Sequence, residues 1–216
     1  MKWIAHRGYN AKDNTRQAFQ NAVIHGFDML ELDIHSTVDY KLILHHDPIM
    51  NNHIISKTEY KTLQTEDPDL LTLEEYFTYF SPSIYPCYID IKGSNLTAIL
   101  LLRYLLDKKI PLKKIIIASF NMNHLHTFIH NNIKVRLAFI TCNVFTTKQM
   151  NNLLYGIDYI VVDWTILSTN LIDYANRNDK EIIAYTCNSN EIYHYINQYP
   201  TIYGIMSDII FLDKTI

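Results

Sequence analysis

Short β-rich runs alternate with amphipathic helical stretches along this 216-residue chain, and no other feature narrows the choice of fold as far. The runs fall at 2–7, 28–35, 85–92, 115–120, 135–141, 159–164, 181–187 and 203–208. Between most of them lie segments such as TRQAFQNAVIH, LTAILLLRYLLDKK and NLIDYANRN, with apolar residues recurring at i, i+3 and i+4. Strands alternating with helices imply βαβ units and a parallel sheet. Eight such units predict an α/β fold, a compact (β/α)8 TIM barrel, in a chain somewhat shorter than the ~250 residues typical of that architecture. HGFDMLELD, YGIDYIVVD and YGIMSD each place a glycine where a helix is expected to stop and a strand to begin, a position that favours left-handed backbone.

The segment 48–84 breaks the alternation. It holds polar loop, SKTEYKTLQ and TLEEYFTYF, without an obvious strand, and reads as a short excursion after the second strand carrying one or two short helices. No Pro/Gly/Ser-rich tract divides the chain, so a single domain over 1–216 is expected. Apolar residues make up 48% of it, enough for a sizeable core. A net charge of −3 gives no electrostatic footprint for nucleic acid. The most apolar helix, LTAILLLRYLL, is interrupted by Arg103 and falls short of the ~20 residues of a bilayer span, so no transmembrane segment is expected. Neither is a signal peptide, and the expected location is cytoplasmic. Cys87, Cys142 and Cys187 are scattered, with no CxxC pair. They are expected to be buried free thiols in a reducing compartment.

In such a barrel the chemistry sits at the C-terminal ends of the strands. Those ends are polar here: His6 and Arg7; Glu31, Asp33 and His35; Asp90 and Lys92; Ser119; Thr141 and Asn143; Asp163; Thr186 and Asn188; Ser207 and Asp208. Alternation sets their direction. In MLELDIH, Leu30, Leu32 and Ile34 face one way and Glu31, Asp33 and His35 the other; in YIDIK, Asp90 and Lys92 face the barrel axis. Glu31, Asp33 and Asp90 should therefore converge, and a hard divalent cation, Mg²⁺ or Ca²⁺, suits three oxygen donors better than salt bridging to Arg7 and Lys92 alone. In LILHHDP, Leu44 and His46 share one face and His45 takes the other, so only one histidine of the pair can point at the site. A base and an acid, a phosphate-clamping Arg7, a Lys92 point charge and a cation together suit a phosphodiester substrate.

The motifs AHRG, DNTRQAF, ELDI, HHDP, LLTLEEYF, YIDIK and SF, with AYTCN and GIMSD near the C-terminus, fall in an order that resembles the glycerophosphodiester phosphodiesterases over nearly the whole chain. The resemblance implies that His6 and His46 are the catalytic acid/base pair, that Glu31, Asp33 and Asp90 hold one divalent cation, and that Arg7 and Lys92 bind phosphate. It also implies that Asn14 lies near the site and that Tyr185 and Asn188 line its mouth. The implied reaction is metal-dependent hydrolysis of a small-molecule glycerophosphodiester to an alcohol and glycerol 3-phosphate.

Four positions depart from the family's usual pattern: Asp13 for Glu, Asp90 for Glu, Tyr185 for Trp and Ser207 for Thr. The related sphingomyelinase D-like branch of the same barrel also resembles this chain in using Asp at the position of Asp90. Two alternatives follow. One is a phospholipase D-like enzyme on lysophospholipids or sphingolipids, for which the aromatic residues of YFTYFSPSIYPCY could form an apolar entry, although core packing is the favoured reading of that run. The other is a non-catalytic barrel binding phosphorylated metabolites, against which stands a competent side chain at every acid/base and phosphate position.

Overall fold

A computed structural model describes residues 1–199 and 201–210. Among them, eight parallel strands close into a barrel: β1 (Lys2–Ala5), β2 (Met29–Ser36), β3 (Cys87–Ile91), β4 (Ile115–Ser119), β5 (Arg136–Thr141), β6 (Tyr159–Asp163), β7 (Glu181–Tyr185) and β8 (Ile202–Ser207). Each pairs with its neighbour in sequence, β8 pairs with β1, and Ile4 opposite Met29 and Ala5 opposite Leu30 fix the β1–β2 register. All eight expected runs are strands. The helices between them are α1 (Arg16–Ile24), α2 (Tyr60–Glu66), α3 (Leu73–Tyr79), α4 (Asn95–Asp107), α5 (Met122–His130), α6 (Thr147–Leu153), α7 (Thr169–Arg177) and α8 (Asn190–Ile196). No helix among the described residues is long and apolar enough to cross a membrane.

Period-two alternation divides the core in two. Ile4, Met29, Tyr88, Ile116, Ala118, Ala138, Ile140, Tyr159, Val161, Ile183 and Met206 fill the barrel interior. The intervening residues, such as Leu30, Leu32, Ile89, Ile117 and Val162, pack outward with Phe19, Leu101, Leu105, Leu125 and Phe128 of the surrounding helices. Because the interior is plugged by side chains, only its upper end is available for chemistry.

The segment after β2 does two things. Leu42–Leu44 returns antiparallel along the end of β2, pairing Ile34 with Leu44, and so delivers His45 and His46 beside Asp33. The excursion then carries α2 and α3, as expected. It also contains a two-residue hairpin, Ile49–Met50 against His53–Ile54, that is too short to leave a periodic trace in the sequence. A reciprocal box starts α3, the Thr72 hydroxyl accepting from the Glu75 amide and the Glu75 carboxylate accepting from the Thr72 amide. In the aromatic run that follows, Tyr76, Phe77 and Phe80 are buried, and Tyr76 and Phe80 pack on Phe19 of α1 with centroids 4.9 and 5.7 Å apart. These residues are core and form no apolar entry.

Two expectations are corrected. Gly26 and Gly156 do adopt positive φ, but Gly204 lies inside β8, where a Cβ would stand 3.0 Å from the Lys2 carbonyl oxygen and 3.3 Å from the Lys2 Cβ. It serves the close approach of β8 to β1. Cys87 and Cys187 are buried, but Cys142 lies in the exposed turn just past β5, so only two of the three free thiols belong to the core.

Candidate active site

Eight of the ten residues singled out in the sequence, His6, Arg7, Glu31, Asp33, His46, Asp90, Lys92 and Tyr185, line one cleft of about 150 Å³ at the C-terminal end of the barrel. Tyr88, Phe120 and Thr186 complete most of its wall. The parallel register sets Asp33 opposite Asp90 on adjacent strands, and Glu31 lies two residues below Asp33 on the same face. All three carboxylates are buried, and a ligand oxygen of each lies within 4.8 Å of the others.

Charges this close are held by a specific set of donors. Asp33 accepts from the Asn14 side-chain amide at 3.0 Å and forms ion pairs with Lys92 Nζ at 3.2 Å and Arg7 Nε at 3.3 Å. The Asn14 carbonyl in turn accepts from the Asp33 backbone N–H, so Asn14 is fully engaged with Asp33 rather than facing the cleft. Burial alone would raise Asp33, but Lys92, Arg7 and Asn14 outweigh it and hold its carboxyl below the usual range. Asp90 has Lys92 Nζ 2.7 Å from one oxygen, while its other oxygen, Oδ1, is buried without a protein partner among the described residues. Glu31 accepts the Arg7 backbone N–H at 2.7 Å. Arg7 presents that N–H from a left-handed backbone, φ 56°, followed by Gly8 at φ 100°. A Cβ on Gly8 would come within 2.4 Å of the Ala18 Cβ, so the turn that aims Arg7 requires glycine.

The triad fits a hard divalent cation. It offers three buried oxygen donors, and the orphaned Asp90 oxygen is an acceptor that protein groups leave unused. Burial chiefly, with the charges of Asp33 and Asp90, pushes Glu31 well above the carboxylate range. Burial chiefly, with Asp33 adding and Lys92 opposing, pushes Asp90 up to about 7. In the cation-free fold these two groups therefore favour the protonated form. Both contribute stability at low pH, and the contribution of Asp90 is lost as pH rises through about 7. A cation requires them ionised, so its affinity should climb across that pH range and its binding should release protons. Calorimetric titration at about pH 6 and about pH 8, in buffers of different ionisation heat, checks this; a pH-independent affinity without proton release contradicts it.

The two histidines are held alike. His6 Nδ1 lies 2.6 Å from Asp208 Oδ1, and His46 Nδ1 lies 2.7 Å from Asp47 Oδ1. With Nδ1–H donating to a carboxylate, Nε2 is the nitrogen each ring offers to the cleft. Burial would raise Asp208, but its bond to His6 outweighs that and holds it below the usual carboxylate range. Asn188 does not line the cleft; its amide donates to Asp208 and its carbonyl accepts from the Asp208 N–H at 2.9 Å, so it acts on His6 through Asp208. His35 Nε2 lies 3.1 Å from the His46 carbonyl oxygen and ties the loop that bears His46 to the end of β2. His45 lies outside this cleft, its ring bonded to the Asp47 carbonyl at 2.9 Å. Tyr185 lines the wall, with its ring edge-on to Phe120 at 6.3 Å.

Sequence reasoning left Asp47, Asp208 and the anchoring role of His35 without assignment. Asp47 adjoins His46 in the HHDP motif and could have been found there. Asp208 is 202 residues from His6, and only the closure of the barrel joins them.

The closed (β/α)8 barrel carries at its upper end a carboxylate triad, a Lys/Arg pair and two carboxylate-anchored histidines, the charges and acid/base groups that chemistry on a phosphate ester requires. Residues 6–92 match the sequence model of the glycerophosphoryl diester phosphodiesterase family. An uncharacterized protein of Mycoplasma genitalium is 28% identical over 169 residues, covering 67% of this chain and 69% of that protein. Human lysophospholipase D GDPD1 is 35% identical over 118 residues, 44% of this chain but only 37% of the human protein. Among solved structures, a phosphodiesterase of Oleispira antarctica in complex with its product sn-glycerol-3-phosphate superimposes with a TM-score of 0.83, at 16% identity, over 96% of this chain and 93% of that one. Residues 6–92 are thus similar to the glycerophosphoryl diester phosphodiesterase family, and the chain shares its barrel fold with that solved phosphodiesterase.

Proposed function

We propose that the protein hydrolyses glycerophosphodiesters to an alcohol and glycerol 3-phosphate, with His6 and His46 as the acid/base pair. The observation that carries this reading is the pair of histidines lining one cleft with the carboxylate triad, each held through Nδ1 by its own aspartate. The family match over 6–92 and the product-bound neighbour support the substrate class.

Glu31, Asp33 and Asp90 would hold one divalent cation, which supplies positive charge against that developing on the phosphoryl oxygens. Arg7 and Lys92, both largely buried, add fixed cationic charge at the same place, so the phosphate is bound and oriented before any proton moves. One histidine, neutral, takes a proton at Nε2 from the attacking oxygen. The other, charged, gives its Nε2 proton to the leaving oxygen. Asp208 and Asp47 keep both rings in the tautomer that these steps require and stabilise whichever ring is charged.

A lysophospholipid substrate is the second reading, favoured by the human and mouse relatives described as lysophospholipase D. The half-exposed Phe120 at the cleft wall is an apolar surface such a substrate could meet. Turnover of glycerophosphocholine, glycerophosphoethanolamine, bis(p-nitrophenyl) phosphate and a lysophospholipid, each with and without EDTA, separates the two. The main reading expects EDTA-sensitive cleavage of the water-soluble glycerol diesters; cleavage of the lysolipid alone shifts the substrate class.

A further inference from the structure

Below the carboxylates the barrel interior is largely apolar, and Tyr88 is a polar side chain placed just beneath them. It projects from β3 two residues before Asp90, pairs across to Glu31 in the parallel register, and is fully buried. On the adjacent β4, Ile116 pairs with Tyr88, and Ala118, opposite Asp90, is the small inward residue one layer above it. A phenylalanine would fill the place of Tyr88 equally well, so packing does not account for the hydroxyl.

Two buried polar atoms on this one strand face have no protein partner among the described residues: the Tyr88 hydroxyl and Asp90 Oδ1. One is a donor and the other an acceptor, and both residues line the same cleft. Buried polar groups in folded proteins are almost always hydrogen-bonded, to protein or to ordered water. A water reached from both groups would satisfy the pair, with the buried Glu31 carboxylate beside them as a further acceptor.

We propose that Tyr88 is a positioning residue of the cation site, its hydroxyl donating to a water that in turn donates to Asp90 Oδ1 and fixes that carboxylate within the triad. The proposal rests on the triad being a cation site. In this role Tyr88 acts on the cation only through Asp90.

Tyr88→Phe removes the oxygen and keeps the ring. Calorimetric titration of the purified protein with Mg²⁺ and with Ca²⁺ should show a dissociation constant raised by about tenfold relative to wild type. The melting temperature in EDTA should stay close to that of wild type, because the hydroxyl bonds to a water and not to a protein group. Equal affinities in the two proteins overturn the role of Tyr88 alone. A variant destabilised in EDTA also overturns it, since the hydroxyl would then be bonded within the fold rather than to the site. A wild type that binds neither cation overturns the reading of the triad, and the role of Tyr88 with it.

Discussion

His46→Ala should lower kcat on a choline or ethanolamine ester by about a hundred- to ten-thousandfold, the range a positioned acid or base supplies, and His6→Ala should do the same. His45→Ala should cost little, because its ring is turned to the Asp47 carbonyl outside the cleft. The leaving group assigns the roles. p-Nitrophenolate needs little protonation, so loss of the general acid should affect bis(p-nitrophenyl) phosphate far less than the choline ester. Loss of the general base should affect both alike. Comparison of the two alanine variants on the two substrates identifies acid and base. Near-normal rates in both variants on the choline ester would remove the two-histidine mechanism.

The second large effect separates carboxylates that look equivalent in sequence. Glu31→Gln should lower activity by at least about a hundredfold, because it takes a ligand from the cation. In EDTA the same variant should be no less stable than wild type, since burial already penalises the Glu31 charge and its bond from the Arg7 N–H survives. Asp33→Asn should behave differently. It leaves Lys92 and Arg7 without their shared anion and should destabilise the fold by about 3 kcal/mol, as removal of one partner from a buried ionic network does. KM should rise along with the fall in kcat, because the phosphate clamp loses its anchor. Thermal melts and steady-state kinetics of the two variants check this contrast; equal melting temperatures in EDTA would contradict it.

Much of this was legible in the sequence because period-two alternation in a barrel strand determines both face and end. MLELDIH and YIDIK place Glu31, Asp33 and Asp90 on the interior face, and the structure brings them within ligand distance of a common point. For His45 and His46 alternation left the choice open, since the strand ends at Leu44, which pairs with outward-facing Ile34; the family resemblance singled out His46. Contacts made by tertiary closure were not legible. His6 and Asp208 meet because β8 pairs with β1, and the bond of Asn188 to Asp208 follows from the same closure. Gly204 misled because it stands, like Gly26 and Gly156, between a helical stretch and a strand, whereas close packing against Lys2 is invisible to local pattern. The hairpin at 49–54 spans two residues per strand, below any readable period.

The central claim, that this cleft cleaves a glycerophosphodiester with metal assistance, is tested most directly by ³¹P NMR of glycerophosphocholine incubated with the purified protein. With Mg²⁺ or Ca²⁺ the substrate resonance should be replaced by that of glycerol 3-phosphate, and EDTA should stop the conversion until cation is restored in excess. Release of phosphocholine instead, or conversion at the same rate in EDTA, would contradict the account.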